Sequence, residues 1–100
     1  MILTTTNTID DYKIGAYRGI VTATVVNAQK MTMTFDTEKY YNGISESITE
    51  VKENALKLLE KKAESLGADA IVGIQIDMEL NASNYVTVSV VGTAVSLLKR

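Results

Sequence analysis

Apolar and polar positions recur along this chain with two different periods, and the changes of period divide it into elements. Residues 14–28 read Ile-Gly-Ala-Tyr-Arg-Gly-Ile-Val-Thr-Ala-Thr-Val-Val-Asn-Ala, rich in β-branched types and lacking the 3.6-residue stripe of an amphipathic helix. This pattern predicts a strand, with a break at Gly15 or Gly19. A short strand over residues 2–5 precedes it, joined by the turn-rich Asn7-Thr8-Ile9-Asp10-Asp11. Residues 29–42 carry no clear period. They end in Tyr40-Tyr41-Asn42-Gly43, where Asn-Gly marks a turn or the entry to a helix.

From Ile44 the period becomes helical. Ile44, Ile48, Val51, Ala55, Leu59, Ala63 and Leu66 recur at spacings of three and four, and Leu56 and Leu58 widen the stripe. Ser47-Ile48-Thr49-Glu50 fits a capping box, while the apolar period at Ile44 puts the start a turn earlier. Gly67 sits where a left-handed residue ends a helix, and Glu53 and Lys57 form an i,i+4 pair on the wet side.

Past Gly67 the period shortens to two. Ala70, Val72, Ile74, Ile76, Met78 and Leu80 fall on one face of a strand whose other face turns polar from Gln75 onward. Asn81-Ala82-Ser83-Asn84 predicts a hairpin connection, and residues 85–98 form a last strand antiparallel to the previous one. The expectation is a single domain over residues 1–100, an α+β two-layer sandwich of order β-α-β-β with an antiparallel sheet packed on one long helix.

One helix covers one face of a small sheet, so a monomer in water should keep the other face polar. Here the last strand carries Val86, Val88, Val90 and Ala94 on one side and Val91, Val95 and Leu97 on the other. The first strand sets Val21, Ala23 and Val25 opposite Ile20 and Val26. Leaving four or five large apolar side chains in water, at about 1.5–3 kcal/mol each, forfeits an amount comparable to the whole stability of a small domain. The two-faced strands therefore predict a homo-oligomer.

Composition narrows the rest. The 100 residues, 46% hydrophobic and 22% charged, make one globular domain. With no cysteine and no histidine, disulfides, thiolates and imidazole ligands are all excluded. A net charge of -2, with basic clustering confined to Lys61-Lys62 and Lys99-Arg100, gives no footprint for a nucleic acid. The sequence opens with no basic region and apolar run of secretory type, and no stretch approaches the roughly 18 apolar residues of a membrane span. A cytoplasmic protein without membrane or nucleic-acid partners is expected.

The run Leu66-Gly67-Ala68-Asp69-Ala70-Ile71-Val72-Gly73-Ile74-Gln75-Ile76-Asp77, with Val91-Gly92-Thr93-Ala94-Val95 near the end, resembles the signature of the YbjQ-like family of small bacterial proteins. The opening threonines, Gly19-Ile20-Val21 and the long helix extend the likeness over nearly the whole chain. The chain departs from the family at Thr22-Ala23-Thr24 and at Asp36-Thr37-Glu38-Lys39-Tyr40-Tyr41, where a Gly-Glu-Ala-like turn and a glycine-rich stretch with arginine are usual. The resemblance implies a dodecin-subunit-like fold assembled as a ring-shaped homopentamer. It also brings a heavy-metal-binding label, with no established activity.

That label is judged on donors. Soft metals want thiolate or imidazole, and the only sulfur is in Met1, Met31, Met33 and Met78, which read more readily as packing residues. Asp77 and Glu79 share one face of a strand, and repeated around a ring their carboxylates would suit calcium or magnesium; a solvated acidic strand end explains them as well. No cofactor is otherwise implied. Without histidine and cysteine, Ser-His-Asp, Cys-His and imidazole acid–base chemistry are absent, leaving carboxylates, lysines and tyrosines for any enzyme. Asp69 is placed to accept backbone N–H bonds, as a ligand group or as a shaper of the helix-to-strand turn. Tyr40, Tyr41 and Tyr85, with Tyr17, could stack on a planar ligand in a subunit cleft or pack at an interface. Gly67, Gly73 and Gly92 lack the spacing and lysine of a phosphate loop, and mark a helix stop and close backbone approaches. The leading expectation is a non-enzymatic homo-oligomer holding a small ligand or ion between subunits. A metal-binding protein and a carboxylate- or tyrosine-based enzyme are the alternatives.

Overall fold

The computed structural model describes the backbone of residues 1–28, 37–80 and 85–99, and their side chains except at 27, 28 and 37–47. The elements are β1 (Ile2–Leu3), β2 (Tyr12–Ala28), α1 (Thr37–Ser65), β3 (Ala70–Leu80) and β4 (Tyr85–Lys99). One four-stranded sheet runs in the order β1-β3-β4-β2 and packs on α1. The two-layer α+β arrangement agrees with the sequence pattern. The sheet is mixed rather than purely antiparallel, because β1 pairs parallel to β3 while β3–β4 and β4–β2 are antiparallel.

The helix starts earlier than the apolar period indicates. Asn42-Gly43 and the capping-box sequence Ser47–Glu50 both lie inside α1. A Ser-x-x-Glu sequence is compatible with a helix interior, and twenty-nine residues of cooperative helix absorb one glycine at about 1 kcal/mol. The buried face is narrower than expected. Val51, Ala55, Leu59 and Ala63, spaced strictly by four, are buried, while Leu58 and Leu66 are exposed. At the far end Gly67 takes φ 71°. The Ala68 N–H donates to the Ala63 carbonyl at 3.1 Å and the Gly67 N–H to the Glu64 carbonyl at 3.0 Å, the paired bonds of a Schellman stop.

Under that row of the helix lie Val21 and Ala23 of β2, Ile71 and Ile74 of β3, and Val86, Val88, Val90 and Ala94 of β4. The alternation of β2 and β4 is as the sequence indicates. That of β3 is not. Between Val72 and Gln75 the register against β4 slips by one residue at Gly73, whose φ of 63° suits glycine. The bulge flips the strand's two faces, so Ala70 and Val72 lie on the outer face, away from the helix, whereas Ile74, Ile76, Met78 and Leu80 lie on the helix face. The single stripe expected from Ala70 to Leu80 is therefore divided. In β2 the register slips at Gly15 and again between Tyr17 and Gly19, so the expected break is a pair of bulges within one strand.

Part of the outer face is covered by the chain itself. Ala70, Val72 and Val95 are buried there, packed against Ile9 of the connection between β1 and β2 and against Ile14 of β2 and Leu97 of β4. Elsewhere apolar side chains stay in water: Tyr17, Ile20 (75% exposed) and Val26 on the outer side of β2, and Ile76, Met78 and Leu80 (41%, 47% and 51%) along β3. The latter row is open because α1 packs on β2 and β4 and only marginally on β3.

Candidate functional site

Both edges of the sheet carry features a ligand or partner can use, at different heights. At the lower end, β1 runs into a loop whose backbone continues the sheet. Thr4 and Thr6 carbonyls accept the N–H groups of Ile74 (3.1 Å) and Gly73 (2.8 Å). The side chains of this loop line an open cleft of about 310 Å³ formed by Ile2, Thr4, Thr6, Thr8, Ile9 and Asp10. Its hydroxyls are engaged locally: Thr4 and Thr6 Oγ1 lie 2.8 Å apart, and Thr6 Oγ1 donates to the Thr8 carbonyl at 2.7 Å. Such bonds shape the turn and leave little directed capacity for a ligand.

On the opposite edge a second open cleft, of about 320 Å³, runs between α1 and β2. Val25 and Leu58 give it an apolar floor, and Asn54, Lys57 and Lys61 a polar rim. One turn further along α1, Lys62 Nζ donates to the Thr22 carbonyl of β2, closing that point of the edge strand.

The side chains singled out from sequence fall into separate places. Asp69 closes the helix-to-strand turn: its Oδ2 accepts the Leu97 N–H at 2.9 Å, and its own N–H donates to the Val95 carbonyl at 2.8 Å. Asp69→Ala is expected to lower stability by about 1 kcal/mol, the usual worth of one such bond, since the carboxylate is solvent-exposed. A shift in the urea midpoint checks this. Asp77 and Glu79 lie on the outer face of β3, exposed, opposite Ser89 and Thr87 of β4. Tyr85 opens β4 on that same face and at the same end, since it precedes the inward-facing Val86. The sheet therefore gathers Asp77, Glu79 and Tyr85 into one region and leaves Asp69 some 23–36 Å away, at about 3.3 Å per strand residue. Tyr40 and Tyr41 fall in the first turns of α1, and their side chains, like Met31 and Met33, lie outside the described residues. The Asn81–Asn84 connection does too.

The residues that sequence reasoning passed over are those of the two clefts. The threonine-rich opening signals only a turn, and the Val25–Leu58 floor joins residues 33 positions apart that no local period relates.

A family model described as "Putative heavy-metal-binding", that of the YbjQ family, matches residues 1–98. The chain belongs to this family. Its curated relatives are named UPF0145 proteins: one from Geobacillus kaustophilus is 37% identical, covering 97% of this chain and 98% of its own length. Others from Acetivibrio thermocellus (33%, covering 95% and 97%) and Synechococcus sp. (36%, covering 97% and 99%) are comparable. Among solved structures, a protein of unknown function in the DUF74 family from Pediococcus pentosaceus superposes with a TM-score of 0.71 over 98% of both chains. At 24% identity that likeness concerns the fold alone.

The YbjQ family's metal description meets a chain with the wrong donors for a soft metal. It has no cysteine and no histidine, and among the described residues no group of three or more His, Cys, Asp or Glu side chains converges. Asp77 and Glu79 in one subunit supply two carboxylates, four oxygens at most, short of the six to eight oxygens calcium takes. Among the described residues, no helix of this YbjQ-family chain is long and apolar enough to cross a membrane.

Proposed function

We propose that the protein acts as a homo-oligomeric ring without catalytic chemistry of its own, in five copies as the family resemblance implies, and that it holds a small ligand or hard cation where copies meet. The carrying observation is excess surface. The chain exposes 6932 Å², whereas a folded monomer of 10.9 kDa exposes roughly 5,600 Å². Its radius of gyration, 16.7 Å, likewise exceeds the roughly 13 Å of a compact 100-residue domain. The surplus is of the order a stable protein interface removes from water. It includes the apolar rows on β2 and β3, which a lone subunit leaves wet at a cost of about 25 cal/mol per Å².

Ring symmetry also supplies what one subunit lacks at the candidate site. Asp77, Glu79 and Tyr85 of each copy recur around the axis, so donors too few in one chain are multiplied in the assembly. Soft-metal binding is the second reading, favoured by the family description and opposed by the donor set.

Elemental analysis of protein purified without chelator separates the two. The ring reading expects no transition metal near stoichiometry, with calcium or magnesium, if retained, at a fraction per chain and reduced by Asp77→Asn. One zinc, copper or cadmium per chain would overturn it in favour of the metal label.

A further inference from the structure

Lys57 and Lys61 stand one turn apart on α1, and Asn54 and Leu58 share their face, because positions i, i+3, i+4 and i+7 of a helix fall in one stripe. With Val25 of β2 these side chains line the open cleft of about 320 Å³, a volume at the small end of the range that small-molecule sites occupy. The four helix residues are exposed and Val25 is half-buried.

The charges of this cleft are unanswered within the chain. Among the described residues neither the Lys57 nor the Lys61 ammonium has a hydrogen-bond or ion-pair partner, although the exposed Glu53 and Glu64 stand one turn away. Glu60, between the two lysines in sequence, faces the N-terminal ammonium at 4.0 Å instead of the cleft. Lys62 adds a third positive charge beside them, fixed on the Thr22 carbonyl. The cleft is therefore locally cationic in a chain whose net charge is -2. Two like charges four residues apart on a helix also repel each other, and an anion seated between them relieves that repulsion. Below the charges the surface is apolar: Leu58 is 43% exposed, Val25 lies beside it, and the lysine stems continue the same surface.

We propose that this cleft binds a small organic anion, a single carboxylate or phosphate group carried on a short aliphatic chain or ring. The head group sits between Lys57 and Lys61 with the Asn54 amide as a further donor, and the apolar body rests on Val25 and Leu58. Two ammonium groups on neighbouring turns suit one compact head group; a nucleic-acid backbone needs a longer basic track. The apolar floor selects against a bare inorganic anion, which would leave that surface wet. The site lies on the helix face of β2, across the sheet from Asp77 and Glu79, so it is distinct from the cation site of the ring reading and does not depend on it.

Titration of octanoate, octyl phosphate, octanol and inorganic phosphate into the isotope-labelled full chain, followed by amide chemical shifts, tests the proposal. At least one of the two amphiphilic anions should shift the Val25, Asn54 and Leu58 amides saturably, and the ratio of their affinities assigns the head group. Octanol and inorganic phosphate should each bind at least about tenfold more weakly, since each satisfies one half of the cleft. Lys57→Gln and Lys61→Gln together should weaken the anion by about tenfold or more, the effect of losing charge-assisted bonds, with the circular dichroism spectrum unchanged because both side chains are exposed. Lys13→Gln, which removes an exposed lysine near the start of β2, should change the affinity by less than about twofold, because so distant a charge is screened. Shifts that stay linear for both anions, octanol or inorganic phosphate binding as tightly as they do, or undiminished binding by the double glutamine variant would each overturn the site.

Discussion

Leu59→Ala is expected to lower the free energy of unfolding by about 2–5 kcal/mol, the largest single effect among the core positions of α1. Leu59 is fully buried at the centre of the row Val51, Ala55, Leu59, Ala63, and it is the bulkiest fully buried side chain among the described residues of the helix. Its neighbours along the row at Ala55 and Ala63 are small and cannot swell into the space. The opposing valines, Val86, Val88 and Val90, are held by β4, which is paired on both sides. A cavity therefore persists, adding to the lost transfer energy. Urea unfolding monitored by circular dichroism, at one fixed protein concentration so that assembly contributes equally, measures the shift. A loss below about 1 kcal/mol would mean that the helix does not seat on the sheet at this row.

Gly92→Ala should cost about 1–3 kcal/mol through crowding rather than through a cavity. Gly92 stands in β4 on the helix face, and a Cβ built there lies 2.5 Å from Ile71 Cγ2 and 3.0 Å from Ile74 Cγ1. Both side chains belong to the bulged part of β3 and are buried, with Ile71 wholly so, so neither swings away freely. The effect is thus specific to a neighbour. Ile71→Ala removes the offending methyl, and the double variant should be more stable than the sum of the two single losses predicts, by at least about 0.5 kcal/mol. Additive losses would show that Gly92 is required for another reason.

The fold was largely legible in the sequence because most of it rests on local periods. The β2 and β4 alternations place Val21, Ala23, Val86, Val88 and Val90 on the core face, and they lie there. The Leu66-Gly67 stop likewise depends on the conformational freedom of one glycine and is found as a Schellman turn. Failures came where distant residues decide. The parity of β3 changes at Gly73 because β4 opposite it carries Gly92, into whose space Ile71 and Ile74 pack. Gly73 within 70–80 is a residue that permits a bulge, but the alternation around it does not show that the pairing with β4 uses one. The start of α1 was misplaced because Asn-Gly is a turn signal only when no longer-range packing extends the helix through it.

The candidate site was legible only in part. Asp77 and Glu79 are two apart in a strand and so share a face whatever the tertiary structure, whereas Asp69 and Tyr85 are brought to opposite ends of the sheet by its topology. The Val25–Leu58 cleft needs the crossing of α1 over β2, which no sequence period encodes. The expected burial of both sheet faces was also partly met from within, by Ile9, Ile14 and Leu97, which moves the weight of the oligomer argument to Ile20, Val26 and the row Ile76, Met78, Leu80.

Assembly is the central claim, and native mass spectrometry of the full chain at micromolar concentration tests it most directly, since one spectrum gives the number of copies and any retained mass. The expected result is a single closed oligomer, five copies by family resemblance, whose population falls on Met78→Lys. A spectrum of monomers alone, with the far-ultraviolet circular dichroism of a folded α+β chain, would contradict it.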